Sequence, residues 1–482
     1  MGQELKLVGL DFGSTTCSAV VAGARLHEDR LTGRRELVEV TPRYRSELAF
    51  TPFGERPAAK DEPDEANELI DLEAAARLLD GWLAAGGVRG PELFGGGALI
   101  TGLCARKANA ARLAELVRAR LGEAVIATAD DPCLESLVAF LGSCGELSRG
   151  EPQTPLLNLD IGGGTTNLAL GRAGEVLRTG CLRVGARHLR FVPGTYRLNG
   201  CSALGARLLA HLGIARQRGD QLTQAEVEAV VDYQVTLLEA ACSGQRAPLK
   251  TALGREFEQV ELRLPAELHQ CTLVFSGGVG ALIHARLSRP AEPPTTCFGD
   301  LGPHLAQRII ESQLLRRPVR TDDHAGRATV LGLLTGCTQI AGSSVFLARP
   351  DCLPLRDLPI VGRISLYDSA AELTDALLLL RHSPRGGALQ VTLPEPTPAA
   401  LRTLGARLHE GLQALAFPPE QPVVLLLAQN LAKVLGGYIT GWRPAAFNLI
   451  VLDELAVGAA RFVHLGRAHE QLIPVSLYGL QR

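Results

Sequence analysis

Apolar positions come in short blocks along the first 45 residues. Leu5 to Leu10 is apolar-rich and ends in a small polar turn, Asp11-Phe12-Gly13-Ser14-Thr15-Thr16. Ser18 to Ala22 follows, then Glu36 to Val40 beyond a polar turn containing Gly33. Short strands divided by turn signals predict an antiparallel meander. Residues 41–63, rich in proline and charge, predict a surface excursion. The spacing then changes. Leu69, Leu72, Ala76, Leu79 and Leu83 recur at helical intervals, predicting a helix over 64–86 that stops at Gly86-Gly87. A strand at 98–101, a helix at 105–121 and a strand at 124–128 come next. Asp131-Pro132 opens a further helix, with Asp131 as N-cap and Pro132 in the first turn. Glycine, proline and polar residues at 145–155 mark a boundary.

The pattern then restarts. Leu156 to Leu159 runs into Asp160-Ile161-Gly162-Gly163-Gly164-Thr165-Thr166, and strand-like segments follow at 168–170 and 175–184. Gly185 opens a helix-like stretch. The chain thus carries a long-range repeat: Leu-Asp-Phe-Gly-Ser-Thr-Thr at 10–16 and Leu-Asp-Ile-Gly-Gly-Gly-Thr-Thr at 159–166. Residues 201–265 read as largely helical, with breaks near 213–219 and 244. The apolar run Cys271 to Phe275 leads into Ser276-Gly277-Gly278-Val279-Gly280 and an amphipathic helix, and helices are predicted at 303–315 and 323–336. From 346 onward the period alternates again. Strands are expected at 358–364, 388–393, 423–427, 447–452, 461–465 and 472–477, with helices at 370–381, 398–415 and 430–439. Three units follow: 1–150, 151–345 and 346–482.

Composition narrows the function classes. Lys and Arg number 49 against 51 Asp and Glu, so bulk charge makes no case for nucleic acid. Aromatics at 4% leave little for base-stacking platforms. No run of about 18 apolar residues occurs, so no membrane helix is expected. The start, Met1-Gly2-Gln3-Glu4-Leu5-Lys6, enters a strand directly, and we expect no signal peptide and a cytoplasmic protein. The 11 cysteines form no C-x-x-C pair, which argues against the usual zinc and dithiol spacings and for reduced thiols. His27, His188, His211 and His284 stand alone and read as structural.

The candidate chemistry lies in the turns. A strand ending in Asp, then Gly and hydroxyl residues, presents successive amides that can cradle phosphate oxygens. The Asp can hold Mg²⁺ through water, since Mg²⁺ takes one or two carboxylates and keeps several waters. One such turn is common in hairpins. Two on repeated meanders can face one another across a cleft, and three consecutive glycines cost about 1 kcal/mol each as filler. Ser276-Gly277-Gly278-Val279-Gly280 sits between a strand and a helix N-terminus, where a flat ring or a phosphate can lie against backbone. Neither the Rossmann nor the P-loop glycine pattern is present.

These elements, in this order, resemble the actin-like ATPase superfamily of actin, the seventy-kilodalton heat-shock chaperones and the sugar kinases. The likeness covers residues 5–335. It equates the two turns with the phosphate sites and Ser276–Gly280 with the adenosine motif. It also equates Asp130–Phe140 and Arg327–Leu334 with the two connecting helices. It implies an α/β fold: two actin-like (ribonuclease H-like) lobes around a nucleotide cleft, plus a C-terminal α/β region. Residues 98–109 and 453–477 are similar to the factors that reactivate cobalamin-dependent enzymes, and over most of its length the chain is most similar to the ethanolamine ammonia-lyase reactivating factors. That resemblance implies an Mg²⁺-dependent ATPase that frees damaged cobalamin from ethanolamine ammonia-lyase so that adenosylcobalamin can rebind. It also implies association with the ethanolamine-utilising microcompartment. Whether the chain self-associates stays open. The implied roles are Asp11 and Asp160 on Mg²⁺ through water, with Asp131 either holding a metal water or only capping its helix. Gly13, Ser14, Thr15, Thr16, Gly162, Gly163, Gly164, Thr165 and Thr166 would hold phosphates. Ser276, Gly277, Gly278, Val279 and Gly280 would bind the nucleotide as the adenosine motif, with Gly277 and Gly278 packed against adenine. Heat-shock chaperones have Glu-Pro where this chain has Asp131-Pro132, and no match to their peptide-binding sandwich is evident. An actin-fold small-molecule kinase, with Asp160 as base, and an actin-like scaffold are the alternatives. An iron–sulfur radical-enzyme activator would want paired cysteines, which are lacking.

Overall fold

The computed structural model describes residues 4–29, 35–55, 68–122, 126–129, 132–265, 268, 271–288, 294–320, 327–336, 338–341, 344–383, 385–394, 396–458, 460–468 and 472–480. Two sheets repeat one plan. In the first, β1 (Leu5–Phe12), β2 (Thr16–Glu28) and β3 (Arg35–Arg45) form an antiparallel meander, and β4 (Ala49–Phe50) pairs with the start of β2. β5 (Leu93–Ile100) and β6 (Ile126–Ala129) then add in parallel beside β1, giving the order β3-β2-β1-β5-β6. In the second, β7 (Leu156–Ile161), β8 (Thr166–Arg172) and β9 (Glu175–Leu182) repeat the meander. β10 (Glu258–Val260) extends its edge, while β11 (Thr272–Ser276) and β12 (Val319–Arg320) add in parallel beside β7. The order is β10-β9-β8-β7-β11-β12. A meander followed by parallel crossovers, twice over, is the doubled actin-like lobe.

Two helices join the lobes, and each crosses to the other side. α1 (Pro132–Ser143) packs on the second sheet: the Phe140 ring lies against Gly171, and Ser136 Oγ is 3.0 Å from the Gly180 carbonyl oxygen. α2 (Gly277–Ser288) opens at the end of β11. α3 (Ala328–Gly336) packs on the first sheet at Gly9 and Gly97. α1 and α3 meet backbone to backbone, with Gly142 against the Ala328 carbonyl and Gly332 against the Val138 carbonyl.

The remaining chain forms an eight-stranded sheet. Its centre is four parallel strands, β15 (Leu355–Ser365), β16 (Gly387–Thr392), β17 (Pro422–Leu427) and β18 (Asn448–Leu452). Crossover helices at Ala370–Arg381, Pro398–Ala414 and Ala432–Thr440 share one hydrophobic core over a face of this sheet. β14 (Phe346–Leu347) closes one edge, while β19 (Ala460–Leu465), β20 (Pro474–Leu480) and β13 (Thr338–Ile340) continue the other antiparallel. The sheet rests on the joining helices. Tyr478 packs with Leu99, Leu134, Val138 and Leu333, its ring stacks on Phe462 with centroids 5.6 Å apart, and its hydroxyl donates to Asp357. Thr338 Oγ1 accepts from the Gly96 amide at 3.0 Å, tying β13 to the first lobe.

Several predicted elements shift. The helix expected over 64–86 occupies Leu72–Ala85, because Asp71 caps it by accepting from the Ala74 amide, and Glu68–Ile70 is strand. β3 runs on to Arg45, into the expected surface excursion. After Gly185 there is one 3-10 turn, then a hairpin of Leu189–Phe191 with Leu198–Cys201 in place of helix. β13 and most of β5 carry no sequence signal: Leu93-Phe94-Gly95-Gly96-Gly97 lacks alternation, and Thr338–Ile340 is too short to register.

Candidate functional site

The repeated turns adopt the same bond pattern. In the first, the Gly13 amide donates to the Thr16 carbonyl at 3.0 Å; in the second, Gly162 donates to Thr165 at 2.9 Å. Gly13–Thr16 therefore corresponds to Gly162–Thr165 residue for residue, and Cys17 to Thr166. Every carbonyl of both turns is taken by protein. Thr51 donates from its hydroxyl to Gly13 O (2.7 Å) and from its amide to Thr15 O (3.0 Å), and Arg187 Nη1 donates to Ser14 O (2.8 Å). In the second turn the amides of Ala186 and Arg187 donate to Gly162 O (3.1 Å) and Gly163 O (2.6 Å). His188 Nε2 reaches Gly164 O at 3.1 Å. With the carbonyls taken by protein and the Gly13 and Gly162 amides closing their turns, an anion held here would meet the amides that follow those two glycines.

His188 is buried, and burial lowers its pKa to about 4, so the ring is neutral. Its Nδ1 lies 2.7 Å from Ser202 Oγ, which also accepts from the Gly205 amide. We assign the proton to Nε2, as the donor to Gly164 O. The lone histidine is a prop for the second turn.

The aspartates end the first strand of each sheet. Asp11 accepts from Thr101 Oγ1 at 3.2 Å, and Asp160 accepts from Ser276 Oγ at 2.8 Å, with Asn158 Nδ2 donating to the same hydroxyl at 3.0 Å. Burial raises Asp11 to about 7, helped by the charge of Asp160, and burial raises Asp160 to about 6. The hydroxyl bonds oppose both shifts without cancelling them. Two desolvated, mutually repelling carboxylates suit a cation between or beside them. Ser276→Ala removes the bond that favours ionised Asp160. We expect the Asp160 carboxyl to titrate about one pH unit higher in this variant, read from its carbon chemical shift between pH 4 and 9.

A cavity of about 380 Å³ joins these parts, within the ordinary range for a small-molecule site. Its walls include Asp11, Gly13, Ser14, Thr15, Thr16, Asp160, Gly162, Gly163, Thr165, Gly277, Gly278 and Val279. Gly277 has φ +78°, and a side chain there would lie 2.5 Å from Ile161 O, so only glycine permits this turn into α2. Gly278 has open space before it.

The model of the family described as ethanolamine utilisation protein EutA matches residues 3–480. The chain belongs to the EutA family. Curated relatives include the ethanolamine ammonia-lyase reactivase EutA of Escherichia coli (strain K12), 29% identical over 481 residues, spanning 96% of this chain and 95% of that one. The protein of the same description from Salmonella typhimurium is 29% identical over 470 residues, with the same coverage of 96% and 95%. Among solved structures, the Aquifex aeolicus PPX-GPPA enzyme overlaps 69% of this chain and 99% of its own, at 14% identity and a TM-score of 0.36. The fold assignment rests on the doubled strand order, not on that low overlap.

Within this EutA-family chain, some predicted site residues stand behind the wall. Thr166 is fully buried and donates to Val184 O at 2.9 Å. Ser276 anchors Asp160 from beneath. Gly164 packs on Leu103 and Ser14, and Gly280 on the Phe275 backbone. Asp131 lies outside the described residues. Conversely, the cavity gains Thr101, Gly102, Glu135, Phe298, Asp300 and Arg327, none of which was assigned a role from sequence. Glu135 sits in the first turn of α1, so an acidic residue just after Asp131-Pro132 was the available signal. Asp300 and Phe298 come from a loop with no motif. Among the described residues no helix is long and apolar enough to cross a membrane.

Proposed function

We propose that this protein hydrolyses ATP with Mg²⁺ and uses the resulting lobe motion to reactivate ethanolamine ammonia-lyase. The matched turns, each lining one cavity beside its own aspartate, carry the hydrolysis reading. The named relatives and the family description carry the choice of client. The cavity fits the group. Thr15 Oγ1 and Arg327 Nε are buried without a hydrogen-bond partner, and the aspartate pair is held together with its charge uncompensated by any described contact to a cation.

Asp11 and Asp160 would hold Mg²⁺ through water, which supplies positive charge against the phosphate oxygens. The turn amides that follow Gly13 and Gly162, those of Ser14–Thr16 and Gly163–Thr165, would hold the β- and γ-phosphates, with the hydroxyls of Thr15, Thr16 and Thr165 beside them. Gly277 and Gly278 would lie against adenine. A water oxygen forms the new bond to the γ-phosphorus while the bridging phosphorus–oxygen bond breaks. ADP leaves with that electron pair, and the water's proton passes to the carboxylate pair. Positioning and charge account for most of the acceleration.

ATP touching both turns favours the closed lobes, and ADP relaxes them, through its weaker hold on one side. The α1–α3 crossing is the pivot, and the eight-stranded sheet rests on it. The swing would therefore be delivered through that sheet to the ammonia-lyase, opening it for release of damaged cobalamin. Cobalamin need not bind this chain. Ethanolamine ammonia-lyase blocked with cyanocobalamin tests the reading. Activity should return with this protein, ATP, Mg²⁺ and adenosylcobalamin, and not when ATP is omitted. Hydrolysis without recovery would shift the function to another cobalamin enzyme or to an actin-fold kinase.

A further inference from the structure

Among the described residues that line the cavity, four carry acids, Asp11, Glu135, Asp160 and Asp300, and Arg327 is the one cationic side chain. A nucleotide triphosphate brings further negative charge to this acidic chamber, so the position of its arginine matters. Arg327 directly precedes α3. The backbone there is fixed by the helix crossing, where the Ala328 carbonyl lies against Gly142. One end of the guanidinium is also fixed: Nη2 donates to Ser46 O at 2.8 Å. Ser46 is itself tied to β2 twice, donating from its amide to Ala19 O and accepting from the Ala19 amide on its hydroxyl, both at 2.9 Å. The guanidinium is not fully used: Nε, beside Nη2 on the same edge, is buried and has no hydrogen-bond partner. A buried unpaired donor is costly unless a ligand completes it. Thr15 Oγ1, on the first turn, is likewise buried and unpartnered.

From this we infer that Arg327 is a catalytic residue of the proposed hydrolysis, donating to the terminal phosphate and stabilising the charge that develops there. The inference rests on the ATPase reading and assigns the side chain that the turn motifs alone do not supply. Its two anchors, one on the first lobe and one at the pivot, hold the guanidinium in place before the nucleotide arrives. Such preorganised donors contribute most to transition-state stabilisation. Arginine offers five donors on a planar fork here, so Nη2 can keep Ser46 O while its other N–H groups serve phosphate, which lysine cannot reproduce.

The test uses the full chain with Arg327→Ala and Arg327→Lys. We expect Arg327→Ala to lower kcat by roughly a hundredfold to a thousandfold, with ADP affinity changed less than about threefold. Added guanidinium ion should restore part of the rate in Arg327→Ala, which a merely structural defect would not permit. Arg327→Lys should fall between the two. Binding gives a second readout that needs no turnover. Wild-type preference for a non-hydrolysable ATP analogue over ADP should shrink in Arg327→Ala. An Arg327→Ala protein that keeps both wild-type kcat and the wild-type analogue-to-ADP ratio overturns the assignment. A wild-type protein that binds neither nucleotide removes the ATPase reading itself, and the role of Arg327 with it.

Discussion

Asp160→Asn is expected to reduce ATP hydrolysis about a thousandfold and, in the same protein, to raise the thermal midpoint at pH 8. The opposite signs have one cause. Asparagine keeps the shape and can still accept from Ser276 Oγ, but it cannot carry the charge that would attract Mg²⁺ or accept a proton. For the nucleotide-free fold that charge is a burden. The carboxyl titrates at about 6 in the folded state against an ordinary 3.8, because burial disfavours its ionised form. Between those values the folded chain retains a proton that the unfolded chain has released. The contribution is full below about pH 4 and is lost as pH rises through 6. The neutral amide of the variant has no such contribution to lose. The variant's gain should therefore be absent near pH 4, grow through pH 6 and level off by pH 8. Melting curves in EDTA across that range, beside hydrolysis rates with Mg²⁺, check both halves. A variant that loses activity and stability together would make Asp160 a structural turn residue.

The second large effect is expected at the pivot. Glycine to alanine inside a helix normally stabilises it by about 1 kcal/mol. Gly332→Ala in α3 should do the reverse, costing about 3 kcal/mol. Its Cβ would fall inside the Val138 carbonyl oxygen of α1, which is backbone and cannot rotate away. Gly142→Ala meets the Ala328 carbonyl in the same manner. Both overlaps are relieved by the same separation of the two helices, so the double variant should cost clearly less than the sum. Denaturant midpoints of the two single variants and the double variant measure this. A Gly332→Ala protein as stable as wild type would mean that the helices are not pressed together at this point. Where the variants still fold, wider spacing at the crossing should weaken the link between nucleotide and lobe closure. The ATP-dependent recovery of ammonia-lyase should then fall more than hydrolysis does.

Much of this architecture is local in origin, and the chain shows it directly. Short apolar blocks interrupted by Asp-Gly-Thr turns mark both meanders, since strands and turns are encoded within about ten residues. The long-range repeat identifies the two turns as equivalents, and the glycines at 162–164 and 277–278 show where backbone must approach something closely. The crossover helices of the last unit are legible for the same reason: Ala370–Arg381 matches its predicted bounds because Ser369 and Glu372 form a capping box in adjacent sequence.

Tertiary structure alone decides what depends on residues far apart in the chain. It sets the residue-for-residue match of the turns, which moves Thr166 out of the cavity and onto Val184 O. It exchanges the joining helices between lobes, a packing choice that no periodicity reports. It also gathers Thr101, Glu135, Asp300 and Arg327 around Asp11 and Asp160. None of these four belongs to a turn motif, because a side chain that serves a cavity from a helix start or a loop leaves no local pattern. The sequence determines two strand–turn units able to bind phosphate. That they face one another across one acidic chamber, with a single arginine among its described walls, follows from long-range packing.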